Sequence, residues 1–67
     1  MVDRLVNRIR EFREERGWTQ AELAAHIGVS RKTINTVENG IFVPSTVLAL
    51  RLAKALGTTV EALFQLR

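Results

Sequence analysis

The chain has 67 residues, no cysteine and one histidine, with a net charge of +3 and a sequence pI near 10.7. That length allows one small domain, burying about 60% of its unfolded surface, and the missing cysteines exclude disulfide or thiolate-metal support. Hydrophobic residues make up 46%, which argues against disorder, and no apolar run or leader points to a membrane or to export, so a cytoplasmic protein is expected.

The first predicted helix runs near 3–16, with Val2, Leu5, Val6, Ile9 and Phe12 as its apolar stripe. Its five arginines are interspersed with Asp3, Glu11, Glu14 and Glu15, the pattern of a solvated face laced with ion pairs rather than a basic membrane helix. Gly17, Gly28, Gly40 and Gly57 each follow an apolar-periodic run, while Thr19, Ser30, Ser45 and Thr59 each precede the next one. Glycine readily ends a helix in the left-handed conformation, and a hydroxyl oxygen caps the free amides that begin one. Helices are therefore expected near 20–27, 31–39, 46–56 and 60–65. Thr19-Gln20-Ala21-Glu22 has the form of a capping box. Pro44 ends the Ile41-Phe42-Val43 connection before the Ser45 cap. No strand-like alternation, repeat or linker is evident. The expected fold is all-α, a compact five-helix bundle in one domain.

The second and third helices are too short to stand alone and must pack on a scaffold. Leu23, Ala24 and Ile27 give the second its inner face, and Val29, Ile34 and Val37 serve the turn and the third. Small Ala24 suits a close crossing, and Gly28 suits the turn. The outward residues of the third helix are Arg31, Lys32, Asn35 and Thr36, with Thr33 and Asn39 at its margins, and Glu38 is the only acid between Ser30 and Gly57. Arginine, lysine, amide and hydroxyl groups on an exposed helix can read base edges in the major groove, and free helix-start amides suit phosphates. Trp18 is read as a packing staple and His26 as solvent-facing, with no second ligand to make a metal site.

Three stretches, REERGWTQAELA, IGVSRKTINTVENG and PSTVLALRLAKALGTTVEALF, closely resemble the phage-repressor, Cro-like (Xre) helix-turn-helix family between about Ile9 and Phe64. The resemblance implies a lambda-repressor-like five-helix bundle that binds a pseudo-palindromic operator in double-stranded DNA as a homodimer. It places Arg31, Lys32 and Thr36 at base-reading positions with Asn35 beside them. Gln20 matches a phosphate-contacting glutamine and Asn39 a backbone-binding asparagine, with Ser30 and Thr33 as further backbone neighbours. Arg13 and Glu38 match a structural pair, with a phosphate as a second possible partner for Arg13. Two departures stand out: Ile41 occupies a position that is often basic, and Val47 one that is often acidic. Ile41, Val43 and Val47, with Phe64 and Leu66, form a candidate dimer interface, whereas Phe42 is expected in the core.

The expected function is a sequence-specific transcriptional regulator, in particular a repressor, with no cofactor, small-molecule ligand or membrane. A competing class is the antitoxin of a toxin–antitoxin pair using the same fold. Catalysis is not expected, since the acids are scattered and the histidine is isolated.

Overall fold

The computed structural model describes residues 3–67. The element order is β1 (Leu5–Asn7), α1 (Ile9–Glu15), α2 (Gln20–Ile27), α3 (Arg31–Glu38), α4 (Thr46–Ala55), α5 (Val60–Leu63) and β2 (Phe64–Leu66). Five helices are present, but the molecule is not all-α. β1 and β2 pair antiparallel, with Leu5 opposite Leu66 and Asn7 opposite Phe64.

This small sheet corrects both ends of the expected bundle. The first helix begins at Ile9 rather than near residue 3, and the last stops at Leu63 rather than 65. Val2 of the proposed stripe lies outside the described residues. Two causes, one local and one distant in sequence, set the start of α1. Asn7 Oδ1 accepts from the amide of Ile9 (3.2 Å), closing a turn where the helix would otherwise continue backwards. The preceding backbone is taken by the other end of the chain: Arg4 and Arg67 exchange amide–carbonyl bonds of 2.8 Å, and the Arg8 amide donates to the Leu63 carbonyl. Apolar spacing alone could not reveal that pairing, because Leu5 and Val6 suit a strand as well as a helix.

Local chemistry sets the four remaining helix starts. Hydroxyls of Thr19, Ser30, Ser45 and Thr59 each accept from the amide three residues on. At α2 the Glu22 carboxylate accepts in return from the Thr19 amide (2.9 Å), completing a capping box and holding its pKa below the ordinary carboxylate value. Gly28, at φ 74°, makes the left-handed turn out of α2.

Leu23, Leu52 and Leu63 are fully enclosed, and Ile9, Ile34 and Val37 nearly so, so α1, α2, α3, α4 and α5 all contribute to one core. Ala24 is buried within it, and α2 packs directly on α3. Trp18 lies half-buried against this core and stacks on the exposed His26 ring, with centroids 4.1 Å apart. Phe64 is only 9% exposed and belongs to the core, which removes it from the surface patch proposed for it. Phe42 departs in the opposite direction: it is 49% exposed rather than enclosed. Among the described residues no helix is long and apolar enough to cross a membrane.

Candidate nucleic-acid interface

The outward face of α3 is anchored by the one carboxylate it carries. The Glu38 side chain is wholly enclosed and accepts four hydrogen bonds. Arg13 donates to both oxygens, through Nε to Oε2 (2.7 Å) and Nη2 to Oε1 (3.2 Å). Arg10 Nε and Gln20 Nε2 add contacts of 3.3 Å to Oε1. Burial pushes the Glu38 pKa up, but the bonds from Arg13, Gln20 and Arg10 outweigh it and hold the carboxyl below its ordinary value. The bonds that Arg13 donates to Glu38 raise its own pKa above its ordinary value. Arg13 spends its remaining nitrogen, Nη1, on the Trp18 carbonyl (2.8 Å). Nε, Nη1 and Nη2 are thus all engaged within the chain and the residue is only 8% exposed, which fits the structural pairing with Glu38.

This junction ties α3 to both preceding helices and extends along the reading face. Gln20 Nε2 also donates to Asn35 Oδ1 (3.3 Å), which accepts a second bond from Asn39 Nδ2 (3.2 Å). The Asn35 amide is thereby oriented before any ligand arrives. Asn39 Oδ1 accepts from Arg10 Nη2 (3.4 Å), and its backbone amide closes the helix on the Asn35 carbonyl. Gln20 is thus half-buried and internally bonded, a tether between α2 and α3 as well as a residue near the helix start.

At the other end of α3, Ser30 Oγ accepts from the Thr33 amide (3.1 Å) and shares a hydrogen bond with Thr33 Oγ1 (3.0 Å). Thr36 Oγ1 donates to the Thr33 carbonyl (3.0 Å). Arg31 and Lys32 are exposed, and neither forms an ion pair among the described residues. The outer surface of α3 therefore presents two free cations, one oriented amide and no accessible carboxylate.

Two residues of this arrangement escape a reading of the sequence. Arg10, one of the five arginines whose pattern reads as a solvated face, bonds both Glu38 and Asn39. Asn7 Nδ2 donates to the carbonyls of Val37 (2.9 Å) and Glu38 (3.4 Å), fastening β1 to the end of α3. A polar residue two places before a helix is the sequence signal for its capping role, but nothing local signals its reach to α3.

The candidate interface residues fall in different places. Ile41 lines a shallow hollow with Lys32, Thr33, Thr36 and Phe42, beside the reading face. Val47 is exposed on α4, one turn before Leu50, which borders a separate cavity of about 700 Å³. Leu5 and Phe64 also line that cavity, and Leu66 is the exposed partner of Leu5 in the sheet. Val43 is exposed in the connection between α3 and α4. Among the described residues no cluster of His, Asp or Glu could hold a metal ion.

Comparison with known proteins agrees with this geometry. The helix-turn-helix family profile matches residues 9–63. An uncharacterized HTH-type transcriptional regulator of Methanothermobacter thermautotrophicus is 55% identical over 49 residues, covering 73% of this chain and 71% of that protein. The restriction-modification controller protein C.AhdI of Aeromonas hydrophila is 35% identical with a TM-score of 0.76, over 81% of this chain and 82% of that one. The clp gene regulator ClgR of Corynebacterium glutamicum is also 35% identical, with a TM-score of 0.73 over 78% of this chain, which spans only 55% of that structure. With its capped α2–Gly28–α3 unit matched within this span, the chain belongs to the Cro-like (Xre) helix-turn-helix family of transcriptional regulators.

Proposed function

We propose that the protein binds double-stranded operator DNA as a homodimer, with α3 in the major groove, and represses transcription by occupying its site in the cytoplasm. The observation that carries this reading is the outer face of α3: free Arg31 and Lys32, an oriented Asn35, and the nearby carboxylate of Glu38 enclosed and neutralised. Arg31, Lys32, Asn35 and Thr36 read base edges, while Ser30, Thr33 and Asn39 stand toward the phosphates; Gln20, its side-chain donors bonded to Asn35 and Glu38, offers a phosphate its backbone amide at the start of α2. The Thr36 hydroxyl hydrogen is spent on its own helix, so this residue offers an acceptor and a methyl. No reaction is assigned to the chain.

One such helix reads only a few base pairs, and two-fold pairing places two of them about 34–36 Å apart, one turn of DNA. The surface suited to that pairing is Val43, Val47 and Leu66, extended through Leu5 and Leu50. The cavity bordering it carries Lys54 and Glu61, opposite charges that a two-fold axis makes self-complementary. An antitoxin would use the same DNA-binding body and add a toxin partner.

Selection of bound sites from random duplexes tests the reading. A palindromic consensus with half-sites one turn apart is expected. Arg31→Ala then weakens binding to the selected site by about 1–3 kcal/mol and binding to a scrambled duplex far less. No enrichment of any sequence refutes sequence-specific binding. Equal losses on both duplexes reduce Arg31 to a phosphate contact.

A further inference from the structure

We propose that Ile41 and Phe42 extend the reading face as an apolar edge that recognises the C5-methyl group of a thymine, a reading that rests on α3 entering the major groove.

The placement begins with the backbone. Gly40, at φ 73°, turns the chain sharply out of α3. The amides of Ile41 and Phe42 then both donate to the Thr36 carbonyl, at 3.0 and 3.3 Å, which folds the connection back onto the last turn of the helix. Ile41 and Phe42 therefore share a hollow of about 340 Å³ with Lys32, Thr33 and Thr36, three residues of the reading helix. Ile41 is 76% exposed. A single exposed apolar residue would mean little, but two adjacent large ones bordering a hollow in a polar face need a partner.

The chemistry of the hollow narrows that partner. The Thr36 hydroxyl is bonded to a carbonyl of its own helix, and that of Thr33 to Ser30, so neither is left without a partner. The one charge is Lys32. An apolar protein surface would have to strip water from that ammonium without replacing it. A DNA duplex offers Lys32 a phosphate or a guanine, and thymine alone places an apolar group in the major groove. The hollow shares no residue with the cavity lined by Leu5 and Leu50, so this contact is independent of the surface assigned to dimerisation.

Deoxyuridine lacks only the C5-methyl and keeps the pairing edge of thymine, which makes it the probe. Each thymine of a selected site is replaced singly, and affinity is measured for the wild-type protein and the Ile41→Ala/Phe42→Ala variant. The wild type should lose about fourfold at one thymine in each half-site, the size expected for one buried methyl. The variant should bind the thymine duplex more weakly and show no loss at that same position. Ile41→Ala alone, which changes a mostly exposed side chain and leaves the core intact, should show part of the same insensitivity. Overturning results are a wild type indifferent to every replacement, or variants that keep the full discrimination. If the wild type binds no duplex at all, the DNA-binding reading itself fails, which is a separate result from uniform indifference among bound duplexes.

Discussion

Two parts of this small molecule handle their exposed residues in opposite ways. At the junction of α1, α2 and α3, polar groups are drawn inward and fully bonded: Glu38 accepts from Arg10, Arg13 and Gln20, and Asn7 fastens the end of the helix. On α4 and the paired strands, apolar groups are left outward, with Val47 61% exposed and Leu50 and Leu66 similarly open. The first region is complete in the single chain, since no buried side-chain nitrogen or oxygen among the described residues lacks a partner. The second leaves apolar side chains open in the single chain, on the surface proposed for pairing. Directional bonds fix a geometry, whereas apolar surface supplies affinity without fixing one.

The difference can be broken first at Glu38. Glu38→Ala leaves the buried Arg13 guanidinium uncompensated and should cost about 3–5 kcal/mol, enough to unfold much of a domain this size. Thermal melts should show a far smaller loss for Arg13→Met combined with Glu38→Leu, which removes both charges together. A melting temperature unchanged by Glu38→Ala would show that the junction does not carry the fold. The second test strikes the apolar side. Val47→Glu should leave helicity and the monomer's unfolding intact while shifting sedimentation toward monomer and weakening binding to a palindromic site by about tenfold or more. A wild type that stays monomeric at high micromolar concentration would remove the proposed interface.

The smallest expected effect is one of pH. Glu38 has a folded pKa below its ordinary value of 4.5, so the unfolded chain takes up the proton first as acid is added. Its contribution to stability is complete above the unfolded value and is lost as pH falls through the depressed folded value. Melting temperature should therefore drop as pH falls below about 5, more steeply in the wild type than in Glu38→Gln. Equal slopes would assign the acid sensitivity to other carboxylates.

The helix-turn-helix was legible because its signals are local. Thr19 and Glu22 complete their capping box within four residues, and Gly28 turns the chain where a run of apolar spacing stops. The strands were illegible because their reason is distant: nothing near Leu5 announces Leu66, and the spacing of Leu5, Val6 and Ile9 fits a helix until the other end of the chain is present. Phe42 misled for a related reason. Outside a helix or strand, position along the chain carries no face, and here two amides tethered to the Thr36 carbonyl hold the segment outside the core. Resemblance suggests the Arg13–Glu38 contact, but its convergence with Arg10, Gln20 and Asn7 depends on four elements, β1, α1, α2 and α3, meeting in space.

The bonds joining Gln20, Asn35, Asn39 and Arg10 have a consequence for the DNA itself. A reading helix braced this way is held against swivelling to follow an awkward target. In the two-fold complex proposed above, each helix would meet the groove at an angle set by its own chain, and the duplex would bend or twist to meet it. Base pairs between the half-sites, touched by no side chain, would still be selected for how easily they deform. Stiff and flexible central sequences with identical half-sites would be distinguished by a protein that never contacts the difference.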